Sequence, residues 1–330
     1  MVTHIQDNIF QICVELPNSP LKSLNAYLIK GDGRNLLVDT GFRTEVCRRD
    51  LLEGLKELGV SMEDTDIFLT HLHADHSGLA VSIASKTTKI YLSSEDAARL
   101  IKMNSEDGWQ ETEQWYEENG FSTEQIHQAK RAPMYHYRCE PFEGFTRIQA
   151  GETLRYGGHQ LQTIATPGHT PGHMCLYDTK CQAMFLGDHV LFDITPNIIS
   201  WPNFADPLGT YLENLSCIEK YQIRLPLPGH RGVHGTLQER INDLKKHHEE
   251  RLREMNRVLQ ENPKATAYQL AAKMTWHVKG CMNGWESYPI SQKRFAVGET
   301  VAHLQYLEKR GFASSCKSGQ TFLYYSIQSL

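Results

Sequence analysis

The sequence predicts an α/β fold, a sheet sandwich whose strand ends gather at one edge. Three observations predict it. Short apolar, strand-like runs alternate with amphipathic stretches through roughly the first 235 residues. Histidine or aspartate follows several of those runs, at Asp39, His71 to His76, His169, Asp188 and His230. The last hundred residues then change character: they are mostly helical in pattern and carry a net charge of +6, against −11 for residues 1–230. That asymmetry divides the chain into residues 1–235 and 236–330.

At 330 residues the chain can bury a large core without disulfide staples. Its eight cysteines are scattered, with no C-x-x-C pair, which points to reduced thiols and a cytoplasmic protein rather than a disulfide framework or a thiolate zinc site. The N-terminus lacks the basic and apolar regions of a signal peptide. No apolar run approaches the roughly 20 residues of a membrane span, so no membrane partner is expected.

Taken in order, Ile9–Val14, Asn25–Ile29 and Asn35–Asp39 read as strands, with Gly31-Asp32-Gly33 as a turn. Residues 44–60 read as a helix ended by Gly59. Ile67-Phe68-Leu69 is a buried strand leading into Thr70-His71-Leu72-His73-Ala74-Asp75-His76, and a helix follows over 78–84. After the strand Ile90–Leu92, residues 94–145 break the rhythm as an aromatic-rich helical insertion. Such an insertion suits the roof of a pocket, with Tyr135, His136, Tyr137 and Arg138 as its candidate lining. Strands return at 153–156 and 160–164. Thr166-Pro167-Gly168-His169-Thr170-Pro171-Gly172-His173 is a rigid loop bearing two histidines. Met174–Tyr177 and Ala183–Leu186 are strands, 208–221 is helical, and Leu225–Pro228 is a last strand before Gly229-His230.

Packing gives no reason for four metal-binding side chains within six residues. Imidazole and carboxylate are the ligands that suit zinc and other first-row metals. Five histidines and two aspartates suffice for two ions: His71, His73 and His169 on one, Asp75, His76 and His230 on the other, with Asp188 bridging. Asp39, at a strand end, is placed to hold a ligand imidazole through its second N–H. Paired ions can share a hydroxide and clamp attacking and leaving oxygens, so no serine or cysteine nucleophile is needed.

The H-x-H-x-D-H run from His71 to His76 resembles the signature of the metallo-β-lactamase superfamily, and Asp39, His169, Asp188 and His230 match its remaining motifs in order. The resemblance covers about residues 5–235. It implies an αββα sandwich with two divalent ions, Zn²⁺ first and Fe or Mn as alternatives, at one edge of two facing sheets. The Thr166–His173 loop is similar to the glyoxalase II-like branch, where the first histidine is the ligand; His173 is then a supporting residue. The implied activity is hydrolysis of a small ester, thioester or lactone by metal-bound hydroxide, with Asp75 and Asp188 as catalytic groups.

Residues 236–262 show a long amphipathic helix on which His247 and His248 read as solvent-facing. A capped helix over 266–274, a helix over 291–310 and a hairpin around Ser318-Gly319 follow. That order resembles a winged-helix module appended to some superfamily members. The middle of the 291–310 helix is apolar, which favours packing or homodimer formation over nucleic-acid binding. Trp285, in the preceding loop, is the candidate to reach the pocket from this side. Three alternatives to a small-molecule hydrolase remain: a metal-dependent nuclease, a mononuclear-iron persulfide dioxygenase, and a DNA-binding, metal-sensing regulator.

Overall fold

The structure, a computed structural model, describes residues 1–132, 136–277 and 284–330. Strands β1 (Val2–Gln6), β2 (Ile9–Glu15), β3 (Ser23–Ile29) and β4 (Asn35–Val38) form an antiparallel run. Helix α1 (Glu45–Glu57), capped by the Thr44 hydroxyl on Cys47 N–H, crosses to β5 (Thr65–Phe68), which pairs parallel with β4. A single-turn helix, α2 (Ala74–Ser77), precedes α3 (Ala80–Ile83), which falls within the helix expected over 78–84. Strand β6 (Ile90–Ser93) follows. The insertion then holds α4 (Ser94–Met103), α5 (Glu106–Glu118) and α6 (Thr123–Lys130), each opened by a serine whose hydroxyl accepts a first-turn N–H. Strand β7 (Thr146–Ile148) completes a seven-stranded sheet in the order β1 to β7.

The second sheet contains β8 (Thr153–Tyr156), β9 (His159–Ala165), β10 (Met174–Asp178), β11 (Ala183–Gly187) and, after α7 (Pro207–Ile218), β12 (Leu225–Pro228). Its order is β12-β11-β10-β9-β8. The chain ends in α8 (Leu237–Glu261), α9 (Ala267–Ala271), α10 (Ile290–Lys309) and the hairpin β13 (Ala313–Ser318) and β14 (Thr321–Ser326), turned at Gly319 with φ +62°.

Three apolar clusters account for four layers. Ile9, Ile29, Leu36, Phe68, Leu176 and Phe185 fill the space between the sheets. Ile12, Leu28, Leu51, Leu55 and Leu79 pack the outer face of the first sheet against α1 and its neighbours. A third cluster joins the second sheet (Met184, Leu186) to α7, to Tyr116 and Ile126 of the insertion, and to Met255, Val297 and Leu304 of the C-terminal helices. The insertion and the C-terminal segment therefore share one core. Within α10, Val297, Val301, Leu304 and Leu307 are all buried in it. His248 is corrected from solvent-facing to buried: it lies on the inner stripe of α8, against Tyr211 and His303. The charged residues on either side of it hid that stripe. Among the described residues no helix is long and apolar enough to cross a membrane.

Candidate metal centre

The ends of β4, β5, β11 and β12 and the β9–β10 loop meet at one edge of the sandwich. His73 is the extended residue before α2 and its side chain makes no capping bond, so its ring is free to face the same centre as His71. His73 Nδ1 lies 3.1 Å from His71 Nε2 and 2.9 Å from His169 Nε2. His76 Nε2 lies 3.3 Å from His230 Nε2, and Asp75 Oδ2 lies 3.3 Å from the same His230 atom and 3.9 Å from His76 Nε2. Asp188 stands between the two groups. Its Oδ1 is 3.4 Å from His76 Nε2 and 3.5 Å from His230 Nε2, while its Oδ2 is 3.6 Å from His169 Nε2.

The far side of four of these rings fixes which nitrogen faces inward. His71 Nδ1–H donates to Thr70 Oγ1, His76 Nδ1–H to Asp39 Oδ2, His169 Nδ1–H to the Asn197 carbonyl and His230 Nδ1–H to the Ser23 carbonyl, at 2.8–3.0 Å. In the neutral ring each inward Nε2 then carries a lone pair rather than a proton, which is the form that binds a metal. Lone pairs converging at 3 Å repel one another unless a cation lies among them. A tetrahedral ion with 2.0–2.1 Å bonds would space its ligand atoms about 3.3 Å apart. Asp188 Oδ1 is buried and has no hydrogen-bond partner among the described residues, a costly state that a cation relieves. The donor set therefore fits divalent metal, and His71, His73, Asp75, His76, His169, Asp188 and His230 are the residues that could hold it.

Charge separates the two sets: one is kept neutral, and the other lies among carboxylates that call for a positive charge. Burial, followed by the neighbouring histidines, holds His71 well below the ordinary imidazole value. Burial and His169 take His73 down to about 3. Burial opposes a charge on His76, but the Asp39, Asp188 and Asp75 carboxylates outweigh it and raise that ring. Burial also opposes the Asp75 charge, yet His76 and His230 pull the carboxyl down to about 2. Asp39, Asp75 and Asp188 are all buried. Among the described residues their ion-pair partners are histidines.

Backbone packing holds the ligands in place. A Cβ on Gly229 would lie 2.8 Å from both Asp188 Oδ1 and a His76 ring carbon, and one on Gly187 (φ +49°) would meet His173 and Thr70 at 2.7 Å. His173 donates from Nδ1 to Thr166 Oγ1 and accepts the Asp188 backbone N–H at Nε2. It braces Asp188 rather than facing the centre. Asp39 accepts from Thr70 N–H and Thr70 Oγ1–H as well as from His76, so one carboxylate orients two ligand-bearing turns.

Among the described residues, none of the expected pocket residues lines the cleft beside Trp201. Tyr135 is outside the described residues. His136 is exposed. The Tyr137 ring packs on Phe42, and Arg138 donates to the Met103 carbonyl. Trp285 packs on Tyr268, between the insertion and the C-terminal helices. The cleft beside the metal centre is lined instead by Arg99, Glu111, Trp115, Trp201 and Arg294. Sequence reasoning missed Trp201, whose ring stacks on His73 at 5.7 Å and whose Nε1–H donates to the His169 carbonyl. It also missed Asp96, which accepts from Leu72 N–H, Thr170 Oγ1–H and Gly172 N–H and so ties the two histidine loops together. Burial pushes the Asp96 carboxyl up to about 6. Asp96 reads in sequence only as a first-turn helix acid.

Comparison with known proteins agrees with this geometry. The metallo-beta-lactamase family protein TTHA1429 from Thermus thermophilus has a similar structure, with TM-score 0.80 and 28% identity over 97% of this chain and 98% of that one. A beta-lactamase domain protein from Burkholderia ambifaria shares the fold at TM-score 0.75 and 21% identity, covering 98% and 94% of the two chains. In sequence, the chain is 25% identical to the probable metallo-hydrolase YqjP of Bacillus subtilis over 92% of this chain and 93% of that protein. It is 24% identical to the acyl-coenzyme A thioesterase MBLAC2 of Gallus gallus, over 64% and 73%. The family model described as the metallo-beta-lactamase superfamily matches residues 21–252, well over half of the sequence. With that match over most of its length, and with histidines and aspartates gathered at its strand ends, the chain belongs to the metallo-beta-lactamase superfamily.

Proposed function

We propose that this protein is a metal-dependent hydrolase of a small thioester, ester or lactone, working with two divalent ions, zinc first among them. One observation carries the reading: two sets of inward lone pairs flank Asp188, and its two carboxylate oxygens face one set each. The similarity to a hydrolase and to a thioesterase supports the reaction class, and thioesters lead the substrate list for that reason.

Bound there, the two ions would supply a water acidic enough to attack near neutral pH and positive charge for the developing oxyanion. The chain supplies everything else. His71, His73 and His169 hold one position, and Asp75, His76 and His230 the other. Thr70, Asp39, Asn197 and Ser23 fix the ring orientations. Asp75, held ionised by His76 and His230, is an acceptor for a proton of the attacking water. Trp201 covers His73 and keeps bulk water off that side.

The order helix, helix, helix, hairpin supports a winged-helix reading of residues 236–330. The burial of the α10 apolar stripe in the chain's own core supports a packing role for it over a nucleic-acid one. The test is metal analysis together with a hydrolysis panel of thioesters, lactones, phosphodiesters and RNA. Two zinc ions per chain with thioester or lactone turnover is the expected result. One iron with oxygen uptake, or turnover of RNA alone, would replace the proposal.

A further inference from the structure

The cleft beside Trp201 has a composition that hydrolysis alone does not need. It is a small cavity of about 40 Å³, room for one compact polar group, and two arginines from distant parts of the chain line it: Arg99 of α4 and Arg294 of α10. Arg99 is largely buried, with its guanidinium 5.5 Å from the centre of the Trp201 ring. One of its nitrogens donates to the Pro202 carbonyl. Its nearest carboxylate, Glu111, is 4.0 Å away and is engaged by Lys102 at 2.8 Å. Arg294 lies over the Trp115 ring at 5.8 Å, and its Nε is buried with no hydrogen-bond partner among the described residues. Buried guanidinium N–H groups without acceptors are costly, and the partners they suit best are carboxylate and phosphate oxygens.

The cleft is built onto the metal centre. The same Trp201 indole contacts both the His73 ring, at 5.7 Å, and the Arg99 guanidinium, at 5.5 Å. Helix α10 is seated against the same loop: Ser200 N–H donates to the Gly298 carbonyl, and a Cβ on Gly298 would come 3.0 Å from Ile199. Trp115 Nε1–H donates to Ser200 Oγ. The loop that carries Asn197 and Trp201 to the ligands His169 and His73 thus also forms a wall of the arginine cleft.

We propose that Arg99 and Arg294 form a subsite for an anionic group, carboxylate or phosphate, on the substrate whose scissile bond lies at the metal centre. This rests on the hydrolase reading above and deepens it: the C-terminal segment selects the substrate through Arg294. Glu111 is the one carboxylate lining the cleft among the described residues, and it opposes an anion there.

The test uses the zinc-loaded full chain and three thioesters: S-succinyl-N-acetylcysteamine (acidic acyl side), S-butyryl-3-mercaptopropionate (acidic thiol side) and neutral S-butyryl-N-acetylcysteamine. The expected result is that kcat/KM for one acidic thioester exceeds that of the neutral one. R294Q should lower that ratio about tenfold, as expected for loss of a charge-assisted hydrogen bond, and E111Q should raise it. Which acidic thioester responds tells whether the anion sits on the acyl or the thiol side. Ratios unchanged in both variants would overturn the subsite. If none of the three is cleaved, the thioesterase reading fails and the subsite is judged by succinate binding measured by calorimetry. Binding weakened about tenfold by R294Q upholds it, and equal binding overturns it.

Discussion

His159, Asp178 and Cys181 bring three ligand-type atoms as close together as His71, His73 and His169 do, at the opposite end of β9 from the His169 loop. The two clusters differ in what their donor atoms are already doing. His159 offers both ring nitrogens to oxygen acceptors, Asp178 on one side and Asn8 on the other. Asp178 is in turn saturated by Lys180 N–H and the Cys181 thiol. At the other end of the strand, the outward N–H groups of the rings are satisfied while the inward lone pairs face one another across 3 Å. Proximity of histidine and aspartate therefore does not define a metal site. Unspent lone pairs do.

Substitutions at the two ends should separate these cases. The largest effect is expected for Asp188→Ala, which removes the carboxylate between the two donor sets. Roughly a thousandfold loss of turnover, on the scale of losing a transition-state charge contact, should accompany loss of at least one ion per chain. Full turnover with both ions retained would end the bridging assignment. His159→Ala should leave the metal count untouched but destabilise the fold by about 3 kcal/mol, because it strands the buried Asp178 carboxylate. Urea unfolding and metal analysis of the same sample would show both, and a drop in metal content would blur the distinction drawn above. Asp39→Asn keeps a residue that tolerates the φ of +62° at this position but loses the anion behind His76. Metal affinity measured by competition with a chelator should fall about 10- to 100-fold.

The smallest effect concerns histidines that resemble neither cluster. Both ring nitrogens of His248 are buried without partners among the described residues. Burial, then His303, keeps its pKa well below the ordinary value, and burial takes His303 to about 3. In the unfolded chain these rings titrate near 6.5. Their neutral, folded form is therefore fully stable above that pH, and stability falls as pH drops below it, by up to about 1.4 kcal/mol per unit for each ring. In the metal-free protein, His248→Leu should remove one ring's share of that slope between pH 6.5 and 5. A variant with the wild-type slope would show that His248 does not carry it.

The candidate ligands were legible in the sequence because each follows a short apolar strand that is largely buried and ends at the edge of the sandwich. The strands themselves were mostly legible for the same reason. Strand β1 was not: Val2–Gln6 is a half-exposed edge strand with little apolar signal. The supports of the site were also hidden. Ser23 and Asn197 act through backbone carbonyls, which any residue possesses. Asp96 reaches Thr170 across 74 residues of sequence and Trp201 reaches the His169 carbonyl across 32, and only the packed fold brings them to the histidine loops. The arginine-lined cleft was not legible because Arg99 and Arg294 are isolated in the sequence, whereas the segment 135–138 concentrates aromatic side chains.

The central claim is that two donor sets flank Asp188, and metal counting tests it most directly. Purified protein dialysed against zinc and analysed by inductively coupled plasma mass spectrometry should hold two ions per chain, falling to one in His169→Ala. One ion per chain in the wild type, or no loss in that variant, would contradict the account.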